Sequence, residues 1–349
     1  MFNYVAQRIL IMIPTIILIS IVIFVMPKLA PGDPAEIIAG RMNMESTTEN
    51  KEFTEITLQQ IRKRFNLDKP NFYLTLYPFS WNGTENQYHI WLTNTLSGDL
   101  GVAFVDSQPV IDKFKHALPI TMLLSFLSIF LSYVIAVPIG IYSATKQYSN
   151  FDKISTFGLF VLYSLPNFWI ATMAIIFLGG GDYFEVFPPG GLNSTFIPND
   201  WTGWDIFMDK VHHLILPIAM YTYGSLAFLS RQMRGGMLEV IRQDYIRTAR
   251  AKGLSENVVV FKHALRNSVI PIITLLGYLL PNLVGGSIII EQIFSIDGIG
   301  KLTFAALTAR DFPVIMASLT FSAVLTLIGI LISDLLYSVV DPRIAFSKR

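Results

Sequence analysis

Six stretches of the chain contain no Asp, Glu, Lys, Arg or His, and each is about 17 residues or longer. A single charged side chain at the centre of a bilayer costs about 2.5–3.5 kcal/mol on insertion scales. About 20 apolar residues in a helix cross a hydrocarbon core of about 30 Å. The sequence therefore predicts an all-α multi-pass membrane protein with six transmembrane helices, over residues 9–27, 117–145, 154–181, 214–230, 267–290 and 312–333.

The composition agrees with a chain that is dissolved in lipid. Hydrophobic residues make up 52% of the 349 residues and charged residues only 15%. The absence of cysteine excludes disulfides, thiolate metal sites and thiol nucleophiles. The histidines and carboxylates show no spacing typical of a metal site or a hydrolase. The sequence therefore gives no support to an intramembrane enzyme.

The cations of the short connections indicate how the chain is oriented. Most of them fall on one set of segments, namely Arg8, Lys146, Lys153, residues 231–266 and the tail with Arg343, Lys348 and Arg349. The opposite short loops hold only Lys210, Lys301 and Arg310. Since cytoplasmic loops carry the excess of Lys and Arg, both termini are predicted to be cytoplasmic.

The connection between the first two helices, residues 30–116, is too long for this charge rule. We expect it to form an extracytoplasmic domain. Residues 1–29 then hold the cytoplasmic N-terminus and first helix, residues 117–341 form a five-helix core, and residues 342–349 are a cytoplasmic tail.

Two features are predicted inside the domain of residues 30–116. Ile56, Ile61 and Phe65 lie near one face of a predicted helix that Pro70 ends. The dipeptide Asn82-Gly83 favours a tight turn in a polar insert.

The cytoplasmic loop of residues 231–268 contains the most unusual passage, which reads DYIRTARAKGLSENVVVFKHALRN from Asp244 to Asn267. Residues 237–252 contain neither proline nor glycine and predict a helix, which Gly253 ends. Ser255 and Glu256 then favour the start of a second helix.

Two interpretations of this helix-glycine-helix segment remain open from its residues. Small side chains at Ala249 and Ala251 permit close approach by another protein, which the nearby Arg and Lys side chains would surround. Alternatively, the cations only orient the chain and contact solvent and lipid phosphates.

The fifth apolar stretch and the last one each contain a candidate functional group. Asn282, Gly285 and Gly286 interrupt an apolar helix and are candidate residues of a translocation path, with plain helix packing as the alternative. Asp334 is expected to have a structural role, in reach of headgroups or of a partner on another helix.

Several motifs resemble one family. The passage from Asp244 to Asn267 resembles the EAA motif of permease subunits of ABC importers, in the form found in the oligopeptide and dipeptide importers, with Thr248-Ala249-Arg250 where the founding motif has Glu-Ala-Ala. The resemblance continues through RILIMIPTIILISIVIFVMPKLAPGDPA, GDLGVAF, ALPITMLL, EQIFSIDGIGKLTFAALTARDFPV and DLLYSVVDPRI, and so covers almost the whole chain.

The resemblance implies the type I permease fold of ABC importers and a surface that contacts an ATPase. That surface would comprise Asp244, Tyr245, Arg247, Thr248, Ala249, Arg250, Ala251, Lys252, Gly253, Leu254 and Ser255. Ala249, Gly253 and Leu254 would make the contact, and Tyr245, Arg247, Arg250 and Lys252 would flank it.

The resemblance also implies partners. They are a second homologous permease subunit, two ABC ATPase subunits, an extracytoplasmic substrate-binding protein and membrane lipid, without nucleic acid. The chain itself would bind no cofactor, and ATP and Mg²⁺ would bind to the ATPase subunits. The nearest P-loop candidate, GIGKLT from Gly298, has Ser295 and Leu302 where a P-loop needs glycine and a hydroxyl.

The expected function is therefore import of oligopeptides or dipeptides through the bacterial or archaeal cell membrane, driven by ATP hydrolysis in the partner subunits. One alternative is an ATP-driven importer of the same kind whose substrate is nickel or a metallophore, glutathione or an oligosaccharide. An alternative of another class is an ion-coupled secondary transporter or channel, which has no use for the helix-glycine-helix segment.

Overall fold

The computed structural model describes residues 2–42, 51–179, 183–279 and 287–340. In chain order the described elements are α1 (Phe2–Leu29), α2 (Pro34–Met42), α3 (Lys51–Arg64), β1 (Leu74–Leu76), β2 (Phe79–Trp81), α4 (Gln87–Leu96), α5 (Val110–Thr145), α6 (Asn150–Ser164), α7 (Asn167–Leu178), α8 (Gly203–Ile241), α9 (Asp244–Ala251), α10 (Glu256–Val258), a π-helical turn (Val259–Ala264), α11 (Leu265–Ser268), α12 (Ile270–Leu279), α13 (Ile288–Ile293), α14 (Ile299–Thr308) and α15 (Phe312–Val340).

The chain divides into two units. The first combines the described parts of Met1–Ile9, Ala117–Leu302 and Leu325–Arg349, and the second combines Leu10–His116 and Thr303–Val324. The structure is predominantly helical, and a short antiparallel hairpin of β1 and β2, with Leu74 opposite Trp81, departs from the all-α prediction.

Within the described residues, four helices are long and apolar enough to cross a membrane, namely α1, α5, α8 and α15. The pair α6 and α7 counts as a fifth candidate span. Residues 280–286 of the stretch 267–290 lie outside the described residues, so the sixth transmembrane helix stays a prediction.

One transmembrane helix is predicted over residues 154–181, but the structure has two helices there that meet at an angle of 94°. The break falls at Leu165, whose backbone is extended, and Pro166 follows it. Proline has no amide hydrogen and disfavours helical backbone at the residue before it. A search for uncharged apolar stretches alone therefore does not reveal this break.

In the first unit, α5 and α8 pack against each other through small polar residues. The Ser128 hydroxyl donates to the carbonyl of Ile218 at 3.4 Å, and the Ser132 hydroxyl donates to that of Thr222 at 3.2 Å. Ser132 also shares a hydrogen bond of 2.7 Å with the hydroxyl of Ser225. Such residues let helix backbones approach closely and replace the hydrogen bonds that lipid cannot offer.

The second unit contains a small core between α2 and α3. Ala35, Ile38 and Ile61 are buried in it, and Phe65 packs against them, as predicted for Ile61 and Phe65. The prediction for Ile56 is wrong, because its side chain is 57% exposed. Helix α3 also ends at Arg64, well before Pro70, since Asn66 takes a left-handed backbone conformation.

The sequence predicts that Asp334 contacts either lipid headgroups or a partner on another helix. The structure shows the partner on another helix. The Nε atom of Arg8 in α1 lies 3.1 Å from the Oδ2 atom of Asp334 in α15. An acid near the end of an apolar helix is thereby paired within the first unit, which supports a structural role.

A fully buried carboxylate on α13 accepts hydrogen bonds from three other helices. Glu291 in α13 is 0% exposed. Its Oε1 atom accepts hydrogen bonds from the hydroxyls of Thr121 in α5, at 2.9 Å, and Tyr221 in α8, at 3.2 Å. Its Oε2 atom accepts the backbone amide of Lys301 in α14 at 3.0 Å. A Cβ atom at Gly298 would lie 2.5 Å from this carboxylate, so the glycine of the GIGK sequence makes room for it.

We expect Glu291→Ala to destabilise the protein, because it removes the acceptor of donors on three helices, of which the Thr121 hydroxyl is fully buried. Each buried group left unsatisfied costs about 1–3 kcal/mol. The melting temperature of the purified protein in detergent should fall clearly, and Glu291→Gln should have a smaller effect.

Asp297→Asn is the control, since the Asp297 side chain is 83% exposed and contacts the Lys301 side chain at the surface. Equal melting temperatures for Glu291→Ala and Asp297→Asn would contradict the joining role of Glu291.

Candidate functional site

Helix α9 has one buried face and one exposed face. Ile246 is 0% exposed and Ala249 is 6% exposed. The other residues predicted for the ATPase contact are exposed, namely Asp244, Tyr245, Arg247, Thr248, Arg250, Ala251, Lys252, Gly253, Leu254 and Ser255. We call these exposed residues the coupling surface.

The buried face of α9 rests on a core that several elements share. The core consists of Ile141 and Ala144 in α5, Met233 and Met237 in α8, Ile246 and Ala249 in α9, Val259, Val260 and Ala264 in the π-helical turn, and Ile272 in α12. Full burial of a side chain such as Ile246 contributes about 1.5–3 kcal/mol. The methyl group of Ala249 therefore packs within this chain, and Gly253 and Leu254 are the exposed residues for a predicted contact with a partner.

The π-helical turn explains how three of its residues reach the same core. In a π-helix the backbone hydrogen bond joins residues i and i+5, so residue i+5 lies almost above residue i. Val259 and Ala264 thus face the same side, and the adjacent Val260 packs with them.

The single helix predicted over residues 237–252 is wrong. Helix α8 ends at Ile241, Gln243 has extended backbone, and α9 begins at Asp244. This break changes the direction of the chain so that Ile246 reaches the core. The signal that sequence reasoning missed is the spacing of Ile246 and Ala249, which places both on one face of a helix.

The turn after α9 is built as predicted. Lys252 follows the helix, and Gly253 has a φ of +76°, a conformation that glycine adopts without strain. Helix α10 begins at Glu256, as expected, although the Ser255 side chain makes no capping hydrogen bond.

An ion pair crosses this turn. The Arg250 guanidinium donates to both carboxylate oxygens of Glu256, at 3.1 and 2.7 Å. The hydrogen bond from Arg250 holds the pKa of the Glu256 carboxyl below its usual range. A depressed pKa means that the pair contributes stability above the unfolded-state pKa and loses it as the pH falls through the folded-state pKa. Both side chains are largely exposed, so the pair orients the turn more than it stabilises the fold.

The two ends of the segment are also joined. The side-chain amide of Asn267 donates to the Tyr245 hydroxyl at 2.7 Å, and the Ser268 hydroxyl lies 2.8 Å from the sulfur of Met237. Helix α8 lies so close to the backbone of Ser268 that a Cβ atom at Gly236 would be 2.9 Å from the Ser268 carbonyl oxygen. The passage from Asp244 to Asn267 therefore forms a closed, packed structure.

A buried ion pair fixes α8 next to this segment. Asp152 in α6 is 4% exposed, and Arg234 in α8 donates to both of its oxygens at 2.9 Å. The Tyr148 amide donates to Asp152 at 2.9 Å, and the Ser143 hydroxyl in α5 donates to it as well. Sequence reasoning missed this pair, because nothing in the sequence shows which cation of the loop faces Asp152.

The candidate path residues Asn282, Gly285 and Gly286 lie outside the described residues, so their role stays a prediction. The absence of a cofactor on this chain likewise stays a prediction. The described residues from Asp244 to Asn267 therefore present an exposed contact surface that rests on a packed core.

Comparison with known proteins identifies the family. The family described as "Binding-protein-dependent transport system inner membrane component" matches residues 136–346, and the N-terminal part of such membrane components matches residues 1–125. The oligopeptide transport system permease protein AppB of Bacillus subtilis (strain 168) is 38% identical over 344 residues, which are 98% of this chain and 99% of AppB.

Two relatives are dipeptide transport system permease proteins named DppB. The protein from Alkalihalophilus pseudofirmus is 34% identical and that from Escherichia coli (strain K12) is 31% identical, over 99% and 100% of this chain and the full length of each relative. The chain therefore belongs to the family of inner membrane components of binding-protein-dependent transport systems.

Proposed function

We propose that this chain is a permease subunit of an ATP-driven importer of oligopeptides or dipeptides. It works with a second homologous permease subunit, two ATPase subunits and a substrate-binding protein. The coupling surface lies in the cytoplasm, both termini lie on the same side, and residues 30–116 lie outside. The ATPase subunits bind ATP and Mg²⁺, and this chain performs no chemistry.

The observation that carries this proposal is the construction of α9. Its polar face is exposed, while Ile246 and Ala249 anchor its other face on α5 and α8. A loop that only orients the chain needs no such anchor. A surface through which a partner moves the membrane helices does need an anchor. A mobile contact surface would shift without moving those helices.

The motion would pass to the membrane helices by two routes. One is the apolar core around Met233 and Met237, which joins α9 to α8. The other is the Arg234 and Asp152 ion pair, which joins α8 to α6. Closure of the ATPase subunits would thus tilt α8 together with α5 and α6, and open the path to the other side of the membrane.

The cargo is proposed from the relatives, whose names specify oligopeptide or dipeptide transport. The test uses the complex reconstituted in proteoliposomes with its binding protein. Peptides should stimulate ATP turnover, while nickel chelates, glutathione and oligosaccharides should not. Stimulation by one of the latter cargoes alone would replace the peptide assignment, and transport without ATP would refute the importer.

We expect a cysteine at Leu254 to form a cross-link with an ATPase subunit, because Leu254 is exposed on the coupling surface. Native cysteine is absent, so the reaction has no background from this chain. The readout is a cross-linked band that contains both subunits.

A cysteine at Lys153 is the matched control, since Lys153 is exposed on α6, on the same predicted side of the membrane. Equal cross-linking at both positions, or none at Leu254, would count against the coupling surface.

We expect Gly236→Ala to uncouple ATP hydrolysis from transport. The added methyl group would force α8 away from Ser268, and overpacking of this kind costs about 1–3 kcal/mol. Transport should fall several-fold while basal ATP hydrolysis remains, because the displaced contact would transmit the motion less completely.

The neighbouring Gly235 provides the control, because a Cβ atom there has no heavy atom within 4 Å. Gly235→Ala should transport at the normal rate. Identical transport by the two variants, with normal assembly of both complexes, would show that the contact at Ser268 does not transmit motion.

A further inference from the structure

The second unit contains a cavity of about 350 Å³ to which the proposed function assigns no role. Aromatic and aliphatic side chains form much of its wall, among them Phe24, Phe65, Trp91, Phe312 and Met316. This volume falls within the range of about 300–1,000 Å³ that is usual for ligand sites.

The cavity lies at the ends of two membrane spans. Phe24, Pro27 and Lys28 belong to the last turns of α1, and Phe312 and Pro313 begin α15. Both helices are candidate spans, so their ends mark the level where hydrocarbon gives way to headgroups. Aromatic side chains such as Trp91 are typical of this level.

Two cations border the cavity without a carboxylate partner within salt-bridge distance in the described part of the chain, namely Lys28 and Arg64. The Lys28 ammonium donates to the Gln87 side-chain carbonyl at 2.6 Å and lies 4.8 Å from the centre of the Phe24 ring. Both cations are exposed and so accessible to a ligand. By contrast, Arg62 on the same helix as Arg64 pairs with Asp33 at 2.6 Å.

Among the described residues of the wall, Asp99 is the one acidic side chain, and its Oδ1 atom accepts the backbone amide of Gly101 at 2.9 Å. The charged side chains of the cavity are thus two cations and one anion. A ligand with a phosphate complements the cations, and Asn94 at the wall can donate a further hydrogen bond.

The apolar wall argues for an acyl chain on the same ligand. The exposed apolar residues Val22, Met26 and Leu29 of α1 are not part of this wall and lie on the outer side of the helix beside the cavity. A membrane lipid would therefore reach the cavity from the bilayer along α1, with its headgroup at the end of the helix.

We propose that this cavity binds one phospholipid, with the phosphate held by Lys28 and Arg64 and an acyl chain against the aromatic wall. The bound lipid would fix the end of α1 to α3 and α4, within the second unit. The proposal is independent of the cargo and of the ATPase contact.

Native mass spectrometry of the purified, delipidated complex tests it by titration with phosphatidylglycerol. The double variant Lys28→Gln/Arg64→Gln should weaken the tightest lipid binding about tenfold or more, since each cation near an anionic headgroup contributes appreciably. Lys63→Gln is the control, because Lys63 is an exposed cation of α3 outside the cavity wall and should leave binding unchanged.

Three results would overturn the proposal. One is equal lipid binding by the double variant and by the control. The others are displacement of the lipid by inorganic phosphate, which would make the site a phosphate site, and displacement by a dipeptide, which would make it a peptide site.

A measurement on the unaltered protein covers the case in which the double variant does not fold. A phospholipid with a photoreactive acyl chain should label peptides that contain Trp91 or Phe312. Labelling confined to other helices would equally contradict the proposal.

Discussion

The burial of Ile246 and Ala249 is the interaction on which the coupling surface depends. Helix α9 has only eight residues, and isolated helices shorter than about 12–15 residues are marginal in water. It therefore exists as a helix because its apolar face rests on Met233, Met237 and the residues around them. The exposed surface and the ends of α5 and α8 are consequently one packed structure, which under the proposed function would carry a force from the surface to the membrane helices.

Two buried carboxylates also hold helices of the first unit together, at two positions along α5. Asp152 joins α6 to Arg234 in α8, and Glu291 joins α13 to Thr121 in α5 and to α8. Thr121 and Ser143, which bind the two carboxylates, are separated by about 30 Å along α5 at 1.5 Å per residue. Because a buried charge without partners is very costly, each carboxylate fixes the helices that supply its partners.

The sequence predicted features that depend on local composition, and most of the features it missed depend on distant partners. The break before Pro166 is an exception, because its signal is local. Apolar stretches predicted the long helices, and Gly253 predicted the turn, since these signals lie within a few residues. The partner of Asp152 and the acceptor role of Glu291 arise only when helices far apart in the chain meet, whereas the break at Gln243 has a local signal in the spacing of Ile246 and Ala249. Ile56 is a different kind of error, because 3.6 residues per turn place it about 140° from Ile61 around the helix, so the two do not share a face.

The coupling surface and α8 are expected to move as one body. Spin labels at Leu254 and at Arg231, which is exposed on α8, report their separation in the assembled complex. Double electron–electron resonance should give the same distance distribution in the nucleotide-free and ATP-bound states. A shift of that distribution upon ATP binding, in a complex that still transports its substrate, would show that α9 moves independently and would contradict the account.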